Sequence, residues 1–418
     1  MRIITFIIFG LFSFNGIYGE NVCYKDKCHV SSTRYLLYDV NPPEGFNLRR
    51  DVYMRIAILA HQLQKSTRLG LNSIKVVLPP WSHLIHWSYS EIPEYVPWST
   101  FFDLHSLQLF APVIEMHDFF SILQQNKYTK AIIDNVYILQ HFDDMFETGK
   151  FVDKLEIQKC QNPPKVRYFY YNNMTSTNVK CLSFHGPASQ LIQLLQNTSS
   201  KTILVDHAEV MLHDRFGDKT YWMARRSMRF NKELRKIALK FRENYLNSTD
   251  RGDNTFLEAD WRNDKPKRDA TGGPYIGVHL RRRDFARSRP EEVPSIENVA
   301  DQISALLQKL QLEKVFIATD ATKLEYDGLR SKLEQKYEVY RYEPTDVIKE
   351  KFNEGGVAII DQIICSYSRY FLGTKDSTFS YRIQEEREIL GFPTDRTFNV
   401  LCKNMHECSE PSVWKIVY

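Results

Sequence analysis

Short apolar runs and helix-spaced apolar stripes alternate along this chain, a pattern that predicts strands followed by helices. Residues 34–38 and 74–78 are apolar runs typical of buried strands. The stripe between them consists of Val52, Ile56, Leu59 and Leu63. A right-handed crossover makes the two strands parallel neighbours, and Asn47 is predicted to cap the helix that joins them. Further predictions in this half are strands at 131–139 and 202–206 and a helix at 232–246.

The second half of the chain shows the same alternation more regularly. Strands are predicted at 275–280, 314–319, 338–342 and 370–373, and helices at 296–310, 323–336, 358–367 and 378–390. This alternation predicts a parallel sheet covered on both faces. A charged stretch with paired glycines, 251–273, is interpreted as a linker between domains at 20–250 and 274–418. Two α/β domains that face each other leave a cleft, where small molecules usually bind.

The amino terminus has the pattern of a secretory signal. Arg2 precedes the apolar run 3–14, and the small residues Gly16 and Gly19 follow. We therefore expect residues 1–19 to be a signal peptide, with an uncleaved anchor as the alternative. No later stretch is apolar enough to span a bilayer, so a mature chain in the secretory lumen, without a membrane span, is expected.

Composition narrows the class of protein. The 418 residues are 43% hydrophobic and 25% charged, and the net charge of +4 argues against a general nucleic-acid binder.

By spacing, the seven cysteines suggest the pairs Cys23–Cys28, Cys160–Cys181 and Cys402–Cys408, with Cys365 left over, although connectivity stays open. Their spacing is not that of a zinc site, so no metal is expected. Asn173, Asn197 and Asn247 begin sequons that are plausible glycan sites in a secreted chain.

Dense positive charge follows the strand predicted at 275–280. The sequence His279-Leu280-Arg281-Arg282-Arg283-Asp284-Phe285 places three arginines at the carboxyl end of a strand, the edge where ligands bind in open α/β sheets. Guanidinium groups bind phosphate oxygens in pairs, so a nucleotide ligand is indicated. Alternatively, these arginines line a solvated edge or pair with nearby acids.

Two other segments could contribute to such a site. Glu44, between Pro43 and Gly45, could act as a general base, or it could only stabilise the amino end of the following helix. Ser377 and Thr378 begin a predicted helix, where amides and hydroxyls bind anions, but capping would explain them too. Phe379 could stack on a base or belong to the core. Asp361 lies in an apolar helical stretch and needs a partner, such as a guanine edge or a backbone amide.

Three long motifs together resemble a known family. They resemble motifs of the protein O-fucosyltransferases that modify thrombospondin type 1 repeats. The motifs are Asn41-Pro42-Pro43-Glu44-Gly45-Phe46-Asn47, the HLRRRDF segment at 279–285 and the stretch 373–388. The resemblance runs through nearly the whole chain after residue 19. It implies an α/β fold of GT-B type, with two Rossmann-like domains facing a central cleft. It also implies transfer of fucose from GDP-fucose to Ser or Thr with inversion, no obligatory metal or other cofactor, and location in the endoplasmic reticulum lumen.

The resemblance also implies roles for individual residues. Glu44 matches the catalytic base and Arg281 the arginine that holds the diphosphate. The positions that match the GDP-fucose site are Pro43, Glu44, Gly45, Phe46, Asn47, His279, Leu280, Arg281, Asp361, Ser377, Thr378 and Phe379. The cysteines suit the family's local disulfides. The expected acceptors are proteins with folded thrombospondin type 1 repeats, and the enzyme itself is expected to be a monomer.

Two other functions remain as alternatives. One is a peptide O-fucosyltransferase that acts on EGF-like repeats, against which the HLRRRDF and PPEGF sequences argue. The other is a non-catalytic lumenal protein that binds disulfide-rich repeats in the same cleft. The presence of both Glu44 and Arg281 argues against a pure binder.

Overall fold

A computed structural model describes the protein over most of its length. The described residues are 23–24, 27–28, 33–42, 44–67, 70–82, 84, 95–125, 131–141, 152–160, 166, 168, 174–290, 292–403 and 414–418. The predicted signal peptide at 1–19 lies outside them, as do Pro43, Asn173 and Cys408.

The first half of the chain is built on a seven-stranded sheet. After the antiparallel pair β1 (Cys23–Tyr24) and β2 (Lys27–Cys28), its strands are β3 (Arg34–Tyr38), β4 (Ile74–Leu78), β5 (Val113–Glu115), β6 (Ile132–Gln140), β7 (Lys154–Gln158), β8 (Thr175–His185) and β9 (Thr202–Asp206). The strand order is β5-β4-β3-β9-β6-β8-β7, and all neighbours are parallel except β7 and β8. The helices of this half are α1 (Phe46–Gln64), α2 (Leu104–Gln108), α3 (Met116–Gln125), α4 (Ile192–Gln196), α5 (Lys219–Ser227) and α6 (Lys232–Leu246). The predicted parallel pairing of β3 and β4 is confirmed.

A five-stranded parallel sheet organises the second half. Its strands are β10 (Gly273–Leu280), β11 (Lys314–Thr319), β12 (Glu338–Tyr340), β13 (Ser368–Gly373) and β14 (Asn399–Val400), in the order β12-β11-β10-β13-β14. The helices are α7 (Arg283–Ser288), α8 (Ile296–Leu310), α9 (Lys323–Leu333), α10 (Asp346–Ser366), α11 (Thr378–Leu390) and α12 (Thr394–Thr397). The predicted alternation of strand and helix is confirmed here, and both sheets belong to an α/β fold.

Two predictions about helices were wrong in detail. Asn47 does not cap α1, because the helix begins at Phe46 and its N-cap is Gly45. The helix predicted at 358–367 begins at Asp346, with non-helical backbone angles at Asn353. The kink and the two glycines that follow it, Gly355 and Gly356, hide the first turns of α10 from a periodicity argument.

Helix α6 lies in the segment assigned to the first domain, but it packs on the second sheet. Phe241 of α6 contacts Phe316 of β11 edge to face, with ring centroids 5.7 Å apart. The buried Arg242 guanidinium lies 3.9 Å from the centre of the Tyr367 ring and donates hydrogen bonds to Ser248 and Asp253. Ser248 donates in turn to Asp253. The chain that follows α6 is thus fixed against the second half.

A buried polar network joins the two halves. Glu385 of α11 accepts hydrogen bonds from the Tyr221 hydroxyl (2.6 Å) and the Arg225 Nε (2.6 Å), both on α5. On α1, Arg50 donates to Gln362 of α10 over 2.9 Å, and Gln362 donates to Asn47 over 2.9 Å. Hydrogen bonds of this kind in a low-dielectric interior fix relative orientation. The helix that follows Glu44 is therefore held against the helix that carries Asp361.

One of the three predicted cysteine pairs is confirmed. Cys160 and Cys181 form a disulfide, Cys365 is a buried free thiol, and Cys402 is disulfide-bonded. The backbones of Cys23 and Cys28 are register partners in the β1–β2 pair, while their side chains lie outside the description. Among the helices that the structure describes, none is long and apolar enough to cross a bilayer.

Candidate active site

A cavity of about 750 Å³ lies between the loop before α1 and the carboxyl edge of the second sheet. Its wall includes ten of the twelve residues predicted to bind the donor: Glu44, Gly45, Phe46, Asn47, His279, Arg281, Asp361, Ser377, Thr378 and Phe379. Pro43 lies outside the described residues. The Leu280 side chain is buried in the core of the second half rather than in this wall. Segments more than 300 residues apart in sequence thus meet in one cavity.

Glu44 sits on a loop that is fixed from several sides. Its backbone N–H donates to the Asn41 carbonyl over 3.0 Å. The buried Arg49 guanidinium donates to the carbonyls of Glu44 (3.0 Å) and Pro42 (2.9 Å). The Asn41 N–H donates to the Glu209 carboxylate over 3.0 Å. These bonds hold the half-buried Glu44 at the cavity wall, just ahead of the amino end of α1.

Arg281 lies at the end of β10 between two carboxylates. Its guanidinium pairs with Asp284 at 2.6 Å and with Asp320 at 2.8 Å. Its backbone N–H donates to the Thr374 hydroxyl over 2.9 Å, and that hydroxyl donates to the His279 carbonyl over 2.9 Å. The strand end is therefore rigid, and its cation faces the cavity with only part of its surface exposed.

His279 contributes a neutral ring. It is buried, stacks on Phe379 with centroids 4.2 Å apart, and its Nδ1 lies 2.8 Å from the Ser380 Oγ. Burial, reinforced by the positive charge of Arg281, lowers the pKa of His279 to about 3. At neutral pH the imidazole can therefore donate one hydrogen bond and accept another, but it carries no charge.

Asp361 lies on the face of α10 that forms the opposite wall. Its Oδ1 is buried and has no hydrogen-bond partner among the described residues. Burial raises the pKa of Asp361 to about 8, and Arg341 opposes the shift only partly. A carboxyl group that is largely protonated at pH 7 can accept the donors of a ligand and give up its proton as they bind.

The amino end of α11 closes the cavity on a third side. Ser377 is the N-cap residue, but its side chain makes no capping hydrogen bond. The preceding residue, Asp376, has a φ of 55°, in the left-handed region, and pairs with Arg289 at 3.2 Å. The amides and hydroxyls of the first turn of α11 thus face the cavity together with the cations, which suits an anionic ligand.

Sequence reasoning missed several residues of the cavity wall. These are Leu48, Arg289, Ala318, Thr319, Asp320, Arg341, Pro344, Lys349, Asn353, Glu354, Val357 and Ala358. Members of the two motifs singled out in the sequence also line it, namely Arg283, Asp284, Phe285 and Asp376. One signal was available for Glu354, which precedes Asp361 by seven residues and so lies on the same helical face. Within the described ranges, no group of three or more His, Cys, Asp or Glu side chains could hold a metal ion.

Comparisons with known proteins give a consistent result. Residues 35–390 match the model of a family described as GDP-fucose protein O-fucosyltransferase. Proteins named GDP-fucose protein O-fucosyltransferase 2 from Caenorhabditis elegans and Homo sapiens are each 44% identical to this chain, over 93% of it and 91% of the relative. One from Drosophila melanogaster is 39% identical over 92% of this chain and 82% of the relative.

The fold has solved counterparts. A crystal structure of POFUT1 in complex with GDP-fucose superposes with a TM-score of 0.57 at 14% identity, over 88% of this chain and 99% of the other. At that identity the likeness concerns the fold alone, and it confirms the predicted arrangement of GT-B type.

Proposed function

Since the chain belongs to the GDP-fucose protein O-fucosyltransferase family, we propose that it transfers fucose to Ser or Thr hydroxyls of folded thrombospondin type 1 repeats, with inversion at the anomeric carbon. The chain is a GDP-fucose-dependent glycosyltransferase. The observation that supports the specific reaction is that Glu44 and Arg281 line one cavity from different halves of the chain. In a displacement at a sugar carbon, a carboxylate can activate the attacking hydroxyl and a cation can stabilise the departing diphosphate.

Glu44 is proposed as the general base. Its carboxylate would take the proton of the acceptor hydroxyl as that oxygen attacks the anomeric carbon of fucose. The hydrogen bonds from Arg49 and to Asn41 hold its backbone, so little reorganisation is needed when the acceptor arrives. A single attack from the face opposite to the leaving group gives the inverted product.

Arg281 is proposed to stabilise the leaving group. As the bond from fucose to GDP breaks, negative charge develops on the diphosphate, and a preplaced cation in a site shielded from water lowers that barrier. Asp284 and Asp320 pair with the guanidinium and keep it oriented. The amino end of α11, with Ser377 and Thr378, would bind the remaining diphosphate oxygens.

The base of the nucleotide is assigned to Asp361. Guanine presents N1–H and an exocyclic amino group side by side, and a carboxylate can accept from both. The buried Oδ1 without a partner fits this role. His279, stacked on Phe379, would add neutral contacts to the donor.

The acceptor class and the location belong to the same proposal. We propose that the acceptors are thrombospondin-repeat proteins, that the enzyme is located in the endoplasmic reticulum lumen and that it is a monomer. This part of the proposal rests on the family resemblance and on the signal pattern of residues 1–19. The oxidising lumen is compatible with the Cys160–Cys181 disulfide.

A transfer assay tests the proposal directly. The chain without residues 1–19 is incubated with GDP-fucose, EDTA and a folded thrombospondin repeat, an EGF-like repeat or a reduced repeat. We expect fucose only on the folded thrombospondin repeat, and loss of transfer in Glu44→Gln with GDP binding retained. Glu334→Gln, a control at the exposed C-cap of α9, should have no effect. Transfer to the EGF-like repeat instead would assign the other acceptor class. GDP binding without any transfer would favour a lumenal binder.

A further inference from the structure

Helix α10 presents a second acidic side chain to the cavity, which the proposed mechanism does not use. Glu354 and Asp361 both line the wall, and so do Val357 and Ala358 between them. Spacings of three, four and seven residues place these side chains on one helical face. Glu354 is therefore a part of the donor cavity rather than of the outer surface.

The backbone next to Glu354 has an unusual conformation. Asn353 adopts φ 47° and ψ −162°, which interrupts α10 without a proline. For a non-glycine residue this conformation is unfavourable and persists only where the surrounding structure fixes it. The Asn353 Oδ1 accepts the Gly355 N–H over 2.7 Å, which fixes the kink. A Cβ on Gly356 would lie 2.2 Å from the Cβ of Phe352, so the bend also needs a glycine there. The kink turns the helix at the residue that enters the cavity.

Among the described residues, none forms a hydrogen bond that explains the position of Glu354. Its Oε2 is buried and accepts no hydrogen bond from any described residue. Burial raises the pKa of Glu354, and the positive charge of Arg283 opposes the shift. A buried polar atom without a partner usually indicates a missing ligand or water, and here the oxygen faces a cavity that a ligand must fill.

We propose that Glu354 accepts hydrogen bonds from the ribose hydroxyls of the GDP-fucose donor. This inference rests on the proposed function, with the base at Asp361 and the diphosphate at Arg281. A carboxylate needs donors, which excludes the diphosphate, whose oxygens only accept at neutral pH. The N–H donors of guanine are assigned to Asp361. The next donors along the nucleotide are the ribose 2′- and 3′-hydroxyls.

The spacing along α10 agrees with this order. Seven residues advance a helix by about 10 Å, the length scale of one nucleoside. Dinucleotide-binding folds use the same chemistry, in which an acidic side chain accepts from the ribose 2′-hydroxyl. Fucose, at the far end of the diphosphate, lies beside Glu44 rather than on the helix that holds the base.

Calorimetric binding to the chain without residues 1–19 tests the ribose contact. The probes are GDP, 2′,3′-dideoxy-GDP and GDP-fucose. Because hydrogen bonds to a charged group are the stronger kind, we expect the unsubstituted chain to bind GDP roughly tenfold or more tightly than the dideoxy analogue. In Glu354→Ala, the affinity for GDP should fall to about that of the unsubstituted chain for the dideoxy analogue. The affinity for the analogue itself should not change. Glu354→Gln, which keeps the side-chain volume, should lose only part of the preference for GDP over the dideoxy analogue.

Glu350→Ala is the matched control, because Glu350 is an exposed acid on the same helix outside the cavity wall. It should bind all three ligands as the unsubstituted chain does. If Glu354→Ala still prefers GDP over the analogue by the original factor, the ribose assignment is wrong. Weakening with GDP-fucose but not with GDP would place Glu354 at the sugar and also overturn it. Absence of GDP binding by the unsubstituted chain would overturn the proposed function, and this contact with it.

Discussion

At the scale of single residues, the protonation state of Asp361 should make ligand binding in the cavity depend on pH. With a pKa raised to about 8 by burial, the side chain is mostly neutral at pH 7. Guanine offers only donors to it, and donors favour the carboxylate form. Binding of the base should therefore lower this pKa and release a proton. Below pH 8 that release costs free energy, and the cost falls as the pH rises.

We accordingly expect the affinity for GDP to increase from pH 6.5 to about 8, by up to about tenfold per pH unit, and then to level off. Asp361→Asn cannot release this proton, so its weaker binding should lack that increase. Calorimetric titrations at several pH values measure the difference. The ratio of the GDP affinities of the two proteins at each pH cancels the effect of the ionisation of GDP itself. Parallel pH profiles for both proteins would contradict the assignment of Asp361.

The sequence allowed part of this residue-level picture to be predicted. Glu44, Arg281 and the start of α11 stand out because their motifs are long and rich in charge or in turn residues. Glu354 does not, because it is a single acid whose burial depends on a kink at Asn353. No proline marks that kink, so its conformation follows from tertiary packing and not from local propensity.

At the scale of elements, the position of α10 depends on one close approach to β10. A Cβ on Gly277 would lie 2.8 Å from the Ser368 Oγ and 3.0 Å from the Cys365 carbonyl at the end of the helix. The absent side chain allows α10 to lie against β10, the strand that carries His279. Asp361 and His279 reach the same cavity through this contact.

Gly277→Ala should therefore displace α10 and destabilise the protein by about 1–3 kcal/mol, the usual cost of overpacking. GDP binding should weaken as well, because Asp361 moves with the helix. Gly328→Ala is the matched control. Apart from its chain neighbours and the α9 backbone, no described atom lies within 4 Å of the added Cβ, so the variant should be more stable by up to about 1 kcal/mol. Urea unfolding of both variants gives the comparison, and equal stability would refute the packing argument.

Prediction of elements succeeded where apolar runs are continuous and failed where they are not. Strands β3, β4, β9 and β11 have the predicted bounds because most of their residues, on both faces, are buried. Strand β8 escaped prediction because its first residues, Thr175 to Lys180, are mostly polar and exposed.

At the scale of the whole molecule, a fully buried carboxylate connects the two halves. Glu385 on α11 is bound by Tyr221 and Arg225 of α5, and it also pairs with Arg382 at 3.1 Å. Neither the pairing with Tyr221 and Arg225 nor their burial follows from sequence, because both residues lie about 160 positions from Glu385. A buried ion pair stabilises little in itself, but removing one partner leaves an uncompensated charge.

Glu385→Gln should consequently lower the free energy of unfolding by about 3–5 kcal/mol. Glu334→Gln, which breaks the exposed pair with Arg330, should change it by less than about 1 kcal/mol. Chemical denaturation followed by tryptophan fluorescence measures both. A loss below 1 kcal/mol for Glu385→Gln would show that the halves are held together by other contacts.

The turn after α6 has a consequence for the order of events during biosynthesis. In the folded protein Asn247 is exposed, but Ser248, the middle residue of its sequon, is fully buried against Arg242 and Asp253. An oligosaccharyltransferase has to draw an extended sequon into its own active site, and this turn would have to open to supply one. We therefore expect any glycan on Asn247 to be attached before α6 settles on the second sheet.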